Sequence, residues 1–262
     1  MANELEVALE AASAAAEVLR GGFAGEQVVR YKGEVDLVTE VDERAELTIK
    51  EVLLEAFPAY GMLAEEGGAL PGEEDARWIV DPLDGTTNYA HGLPIFAVSI
   101  ALEKTGEVVL GVVHDPMREE IYVAERGSGA TLNGEPIGVS DTDEPIQALI
   151  ATGFPYDRAQ MPEALDLFGS FAALSRGMRR LGSTALDLCY VAAGRLDCYY
   201  ERGIWPWALA AGVLILEEAG GKVTDYRGGE LDLGGREIVA SNGHLHPAMT
   251  KFTGKDYRQE DA

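Results

Sequence analysis

The sequence predicts a globular unit that mixes helices and strands, in the α+β or α/β class. Its 262 residues are 47% hydrophobic and 25% charged, which is enough to bury a sizeable core as one large domain or two packed halves. Segments with helical periodicity and short apolar segments typical of strands occur in both halves, and no linker or repeat separates them. The composition excludes a disordered chain, and no apolar run reaches the roughly 18 residues of a membrane span.

The first half of the chain is expected to begin with two helices and to continue as strands. The helices are expected near residues 3–20 and 41–56, and Gly21-Gly22 is expected to end the first. The strands are expected at 77–80, 95–102, 107–113 and 120–124, with polar turns between the later ones. His114-Asp115, after the third of these strands, is expected to be a turn.

The second half is expected to alternate helices with strands. Strands are expected at 148–151, 197–200, 222–224 and 237–240, and helices at 162–175, 184–193 and 207–219. Gly220-Gly221 is expected to stop the last of these helices.

The charge of the chain limits its partners. Against 21 basic residues there are 45 Asp and Glu, so the formal net charge is -24. Such a field repels nucleic acid and anionic lipid, and the sequence contains no basic patch that would override it. We therefore expect neither a nucleic-acid nor a membrane partner. The dispersed acids suggest a surface adapted to high salt, and an ordinary acidic cytosolic protein is the alternative.

Two further features bear on the compartment. Cys189 and Cys198 cannot form a disulfide framework and lack metal-binding spacing, so we expect both to fill core space. The N-terminal segment lacks the basic region and continuous apolar core of a secretory signal. These observations predict a cytoplasmic protein.

The most informative segment is W-I-V-D-P-L-D-G-T-T-N, residues 78–88. Asp81 and Asp84 are expected to follow an apolar strand across a turn that Pro82 stiffens and Gly85 permits. Converging carboxylates repel each other unless a proton or cation lies between them, and hard oxygen ligands suit Mg²⁺. The Leu83 carbonyl is a further oxygen ligand, and Gly85 and Thr86 offer backbone N–H groups and a hydroxyl to an anion.

Two acidic clusters lie upstream of this segment. The first is D-L-V-T-E-V-D, from Asp36 to Asp42, and the second is A-E-E-G-G, which contains Glu65 and Glu66. Taken singly, Asp42 is equally well explained as a helix cap and Glu65-Glu66 as a solvated loop. Taken together, the clusters supply several carboxylates for one metal site.

With these motifs, the sequence resembles the inositol monophosphatase family of Mg²⁺-dependent, lithium-sensitive sugar phosphatases. The resemblance extends from Asp36 to Gly221 and includes two later motifs, Y-Y-E-R-G-I-W-P-W-A-L-A-A-G and E-E-A-G-G. It implies a layered αβαβα sandwich, a homodimer, two or three Mg²⁺ ions and a small sugar or polyol phosphate as substrate. It also implies one unit over 1–262, with a metal-binding α+β half at 1–145 and an α/β half at 146–262 that completes the substrate site.

The resemblance also implies a role for each matching residue. Glu65, Asp81 and the Leu83 carbonyl would bind one metal ion, and Asp81 with Asp84 a second. Glu65 and Thr86 would orient the attacking water, with Asp42 hydrogen-bonded to Thr86. The Gly85 and Thr86 amides would hold the phosphate, and Asp84 and Glu201 would also contact the substrate.

One position departs from the family pattern. The family places an Asp after the Trp of the W-A-L-A-A-G segment, where it binds the second metal ion and contacts the substrate, and this chain has Ala208 there. Three interpretations remain open: an engineered substitution, a natural enzyme with a weakened second metal site, or a sugar-phosphate binder without turnover. Because Glu65, Asp81, Asp84 and Thr86 are all present, phosphatase activity is the leading prediction.

The identity of the substrate is less constrained. Inositol 1-phosphate is the leading candidate, and fructose 1,6-bisphosphate and 3′-phosphoadenosine 5′-phosphate are alternatives that belong to relatives. Arg179 and Arg180 either attract a second phosphate or are solvated surface residues. The aromatic residues Tyr199, Tyr200, Trp205 and Trp207 either line a sugar pocket or pack in the core.

The acidic composition leads to a prediction about stability in salt. If the surface is adapted to high salt, counterions should screen the repulsion between its carboxylates, and the melting temperature should rise between low and molar salt. Thermal denaturation followed by circular dichroism in a NaCl series measures this. A melting temperature that stays level or falls would contradict the hypothesis.

Overall fold

The computed structural model describes residues 3–23, 29–31 and 37–254. The helices are α1 (Glu4–Phe23), α2 (Glu40–Ala56), α3 (Thr86–Ala90), α4 (Met161–Leu174), α5 (Thr184–Ala192), α6 (Pro206–Glu218) and α7 (His246–Thr253). The strands are β1 (Val29–Tyr31), β2 (Leu37–Thr39), β3 (Gly61–Ala64), β4 (Gly68–Leu70), β5 (Ala76–Asp84), β6 (Ala97–Lys104), β7 (Glu107–Asp115), β8 (Glu120–Glu125), β9 (Ala130–Leu132), β10 (Glu135–Pro136), β11 (Leu149–Thr152), β12 (Gly177–Arg179), β13 (Cys198–Arg202), β14 (Lys222–Thr224) and β15 (Glu237–Ser241).

The strands form two large sheets and one small one. The first large sheet has eight strands in the order β10-β9-β8-β7-β6-β5-β3-β4, antiparallel except where β3 runs parallel to β5. The second has five strands in the order β12-β11-β13-β15-β14, and its β12, β11 and β13 are parallel. β1 and β2 pair with each other.

Helices cover both faces of each large sheet. Helices α1 and α2 pack on one face of the eight-stranded sheet, through an apolar cluster that includes Ala12, Ile49 and Trp78. Helices α5 and α6 lie between the two sheets, and α4 and α7 cover the outer face of the second sheet. The order of layers is α-β-α-β-α, which confirms the layered fold that the sequence predicted.

The predicted elements agree with the structure apart from their ends. Helix α1 continues through Gly21-Gly22 to Phe23, so the predicted stop was wrong. His114-Asp115 is not a turn but the buried end of β7, paired with β8. β6 begins two residues later than predicted, at Ala97. The apolar segment at 77–80 continues as strand through Asp84, because pairing with β6 resumes after an irregularity between Asp81 and Asp84.

Several other predictions can be compared with the described residues. Cys189 and Cys198 are buried and unpaired by disulfides, as expected for core residues. In the described ranges, no helix has the length and apolarity that crossing a bilayer requires. The strands of the two large sheets fall on either side of residue 145, while the division of roles between 1–145 and 146–262 stays a prediction.

The middle helical layer approaches the first sheet closely at Gly111. A Cβ atom on this buried β7 glycine would lie 2.8 Å from the Ala211 carbonyl oxygen and 3.1 Å from its Cα atom, both in α6. Backbone atoms cannot rotate away as side chains can, so a side chain at Gly111 would push α6 off the sheet.

We expect Gly111→Ala to lower the free energy of unfolding by about 1–3 kcal/mol, because overpacking displaces α6. The matched control is Gly169→Ala on an exposed face of α4, where no atom lies within 4 Å of the added Cβ. That control should raise the free energy of unfolding by about 0.5–1 kcal/mol, through helix propensity. Urea denaturation measures both, and equal effects would contradict the close-approach argument.

Candidate active site

The end of β5 carries the first two carboxylates of the site. Asp81 is 2% exposed, and its Oδ1 accepts a hydrogen bond of 3.1 Å from the Leu83 amide. Gly85 follows with φ 109°, and a Cβ there would lie 2.9 Å from the Ile95 carbonyl oxygen. A side chain is excluded both by this conformation and by this contact. The glycine therefore lets β5 turn directly into α3, which places Thr86 beside the two aspartates.

Glu65 approaches Asp81 from the neighbouring parallel strand. It follows β3, and its amide donates to the Val80 carbonyl oxygen at 3.2 Å, which extends the pairing with β5. Burial raises the pKa of Asp81 well above its usual range, and the charges of Glu65 and Asp84 raise it further. The three carboxylates thus repel one another around the buried Asp81. This repulsion favours the uptake of a proton or the binding of a cation.

Thr86 connects the site to helix α2. Its hydroxyl lies 3.2 Å from Asp42 Oδ1 and 3.1 Å from the Leu83 carbonyl oxygen, and both are acceptors. Asp42 is 1% exposed and lies in the first turn of α2. The structure therefore shows the Thr86–Asp42 contact that the resemblance implies, and the Thr86 hydroxyl donates its hydrogen to one of these two acceptors.

Asp84 is held by the second half of the chain. Its Oδ2 accepts hydrogen bonds from the Ser183 hydroxyl at 2.7 Å and from the Ala185 amide at 2.6 Å. Both donors belong to the N-terminus of α5, where free amides and the helix dipole favour a negative charge. Burial raises the pKa of Asp84 to about 6, although these hydrogen bonds oppose the rise.

Glu201 enters the cleft from β13. The Tyr199 hydroxyl donates to its Oε2, and the Thr184 hydroxyl lies 3.4 Å from the same atom. Burial raises the pKa of Glu201 to about 7, against the lowering effects of the Tyr199 hydrogen bond and of Arg180. A Cβ on Gly153 would collide with this carboxylate, so the glycine makes room for it.

These side chains line one cleft between the two halves of the chain. Among the described residues, five carboxylates and one arginine line it: Glu65, Asp81, Asp84, Asp187, Glu201 and Arg180. Asp187 and the donors Ser183 and Thr184 were not predicted from the sequence as residues of the site. Ser183 had a local signal, because a serine before an apolar helical segment is typical of an N-cap, but Asp187 looks like an ordinary first-turn acid.

The structure decides several of the open alternatives. Tyr199 and Tyr200 are buried in the core, whereas Trp205 and Trp207 line the cleft, stacked with ring centroids 5.1 Å apart. Arg180 lines the cleft as well. Ala208 lies in the first turn of α6 and also lines it. Asp36 lies outside the described residues.

The oxygen atoms of the site are ligands that a hard divalent cation prefers. Glu65, Asp81, Asp84 and the Leu83 carbonyl offer oxygen atoms only, and oxygen ligands are those that Mg²⁺ prefers. In the ranges that the structure describes, no group of three or more His, Cys, Asp or Glu side chains stands already arranged as a metal-ligand set. The mutual repulsion at Asp81 is the structural feature that a cation would relieve.

The fold and cleft define a class of protein: layered α/β proteins with a carboxylate-lined site at the junction of two sheets. Comparisons with known proteins identify the family within that class. The model of the inositol monophosphatase family matches residues 1–258, and the chain belongs to this family.

The relatives are similar over nearly their whole length. An inositol-1-monophosphatase of Mesorhizobium japonicum is 44% identical over 96% of this chain and 96% of that protein. The Nus factor SuhB of Pseudomonas aeruginosa is 44% identical over 94% of this chain and 93% of that protein. The crystal structure of the extragenic suppressor protein SuhB from Bartonella henselae has a TM-score of 0.93 and 40% identity, covering 96% of this chain and 98% of that one.

The carboxylate cluster leads to a prediction about cations and stability. Asp81→Asn removes one charge from the cluster, so in EDTA the variant should be at least as stable as the natural chain. Mg²⁺ should raise the melting temperature of the unsubstituted chain, because a ligand that binds only the folded state stabilises it. At a Mg²⁺ concentration a hundred times Kd, the free energy of unfolding rises by about 2.7 kcal/mol. The melting temperature of the variant should rise far less.

Differential scanning calorimetry with and without Mg²⁺ measures both effects. Asp75→Asn is the matched control, because Asp75 is exposed and outside the cleft. An equal Mg²⁺ response in all three proteins would show that the cation acts on the surface charge and not at Asp81.

Proposed function

We propose that this chain is a Mg²⁺-dependent phosphatase that hydrolyses the phosphate monoester of a small sugar or polyol, with inositol 1-phosphate as the leading substrate. The observation that carries the proposal is the buried cluster of Glu65, Asp81 and Asp84, set against the glycine turn into α3. Family membership and the names of the relatives support it.

Each residue of the cluster has a proposed role. Glu65, Asp81 and the Leu83 carbonyl would hold the first cation, and Asp81 with Asp84 would hold the second. The bound cations supply Lewis-acid polarisation of the phosphoryl group, a lowered pKa of water and neutralisation of the leaving oxygen. The amides of Gly85 and Thr86 bind phosphate oxygens, because the start of α3 presents N–H groups that have no partner inside the helix.

The attacking water is positioned by Glu65 and Thr86. Since the single hydroxyl hydrogen of Thr86 goes to Asp42 or to the Leu83 carbonyl, the lone pairs of this hydroxyl oxygen stay available as acceptors. A water can therefore donate one hydrogen to Thr86 and the other to the Glu65 carboxylate. Fixing both hydrogens orients the oxygen lone pair towards phosphorus, which is a catalytic effect of positioning.

The sugar side of the cleft lies on the second half. Glu201 accepts hydrogen bonds from substrate hydroxyls, and its carboxylate is already oriented by Tyr199 and Thr184. Fructose 1,6-bisphosphate and 3′-phosphoadenosine 5′-phosphate are alternative substrates. Each carries a second phosphate, which the guanidinium group of Arg180 in the cleft can bind. The homodimer, lithium sensitivity, cytoplasmic location and halophilic character remain predictions.

Ala208 supports a second candidate function, a sugar-phosphate binder without turnover. An alanine in the first turn of α6 offers no oxygen ligand to the second cation from its side chain, although it lines the cleft. If the leaving oxygen depends on that cation, part of the stabilisation of the transition state is lost. Because the other carboxylates of the site are present, we expect reduced phosphatase activity and not a complete loss of it.

We expect the unsubstituted chain to release phosphate from inositol 1-phosphate only with Mg²⁺, and Ala208→Asp to raise kcat/KM at least tenfold, which corresponds to about 1.4 kcal/mol. Ala208→Asn is the matched control, because it adds similar volume without a charged ligand. The measurement is phosphate release across a panel of sugar phosphates, at low and high salt. If neither the unsubstituted chain nor Ala208→Asp releases phosphate from any substrate, the proposed phosphatase activity is wrong. The second candidate, a sugar-phosphate binder without turnover, would then remain.

A further inference from the structure

Asp187 is a buried acid without a role in the chemistry above. It lies in the first turn of α5 and is 2% exposed, and its Oδ1 atom has no hydrogen-bond partner. A buried charged or polar atom without a partner is costly, and native proteins keep few of them. Because Asp187 also lines the cleft, the missing partner is expected to come from a ligand.

The neighbours of Asp187 define the kind of partner that fits. The charges of Glu201 and Asp84 act on it most strongly after burial itself, and Arg180 opposes them. Glu201 also lines the cleft, so Asp187 and Glu201 present two neighbouring acceptors to it. Two neighbouring acceptors match a molecule with two neighbouring hydroxyl donors.

We propose that Asp187 is a substrate-binding residue that accepts a hydrogen bond from one hydroxyl of the substrate, next to the hydroxyl that Glu201 accepts. This inference rests on the proposed function and narrows it. The preferred substrates are phosphate monoesters that carry at least two adjacent free hydroxyls. Aryl and simple alkyl phosphates, which have none, gain nothing from Asp187.

A pair of substrates separates this role from others. Inositol 1-phosphate carries adjacent hydroxyls, whereas p-nitrophenyl phosphate carries none. Asp187→Ala should lower kcat/KM for inositol 1-phosphate roughly 10–100-fold, chiefly through KM, because a substrate hydroxyl is left without an acceptor in the cleft. It should leave kcat/KM for p-nitrophenyl phosphate within about twofold. Asp187→Asn, which keeps an acceptor oxygen, should fall between the natural chain and Asp187→Ala.

Stability gives a readout that is independent of activity. Removing a buried acceptor that has no partner should leave the melting temperature unchanged or raise it, since the folded protein no longer buries that group. Asp197→Ala is the matched control. Asp197 is also buried, but its two oxygens accept from the Ser140 hydroxyl at 2.6 Å and from the Leu149 amide at 2.7 Å. We expect this control to lower the melting temperature.

Several outcomes would overturn the proposal. An equal loss of activity on both substrates would assign Asp187 to the cations or to the reaction itself. A fall in melting temperature as large as that of Asp197→Ala would make it a structural residue. If the natural chain hydrolyses neither substrate, the proposed phosphatase function fails, and calorimetric binding of inositol 1-phosphate and of inorganic phosphate replaces the kinetic test. Weaker binding of inositol 1-phosphate alone by Asp187→Ala would then support the hydroxyl contact, and unchanged binding would reject it.

Discussion

The hydrogen bonds that Asp84 receives from the start of α5 connect the two halves of the molecule at the site. Asp84 ends β5 in the first sheet, while Ser183 and Ala185 belong to the layer between the sheets. A buried carboxylate without donors would be costly, so the position of α5 against β5 is tied to this contact. Asn88 adds a second link, because its side-chain amide donates to the Leu181 carbonyl oxygen at 2.8 Å.

This constraint explains why the cleft is assembled from distant parts of the sequence. The pairing of β3 with β5 positions the backbone at Glu65, and Asp42 in α2 contacts the hydroxyl of Thr86. Tyr199 and Thr184 contact the carboxylate of Glu201. Asp84, Thr86 and Glu201 are therefore each oriented by a side-chain contact with another element. Such support fixes the positions of charged groups before a ligand arrives, which is what positioning catalysis requires.

The sequence predicted most of the larger helices and strands because periodicity is a local signal, and the order of the layers came from the resemblance to the family. It also predicted Asp81, Asp84, Thr86 and Glu201 as members of one site, through the motifs of the family. It did not predict that β5 continues to Asp84, since the pairing with β6 after the irregularity depends on a neighbouring strand and not on the local residues. The role of Asp187 was not predicted for the same reason. Its burial and its unpartnered oxygen depend on the packing of α5 against the cleft, which the local sequence does not show.

The architecture of the site does not depend on residue 208. None of the hydrogen bonds described above for Asp42, Asp84, Thr86 and Glu201 involves the side chain at this position. The start of α6 has its own support, because the Ser99 hydroxyl donates to the Trp207 carbonyl oxygen at 3.3 Å. An alanine there removes a possible oxygen ligand without disturbing the groups around it. Under the proposed function, position 208 therefore changes the strength of cation binding and the turnover of the site while leaving the fold intact.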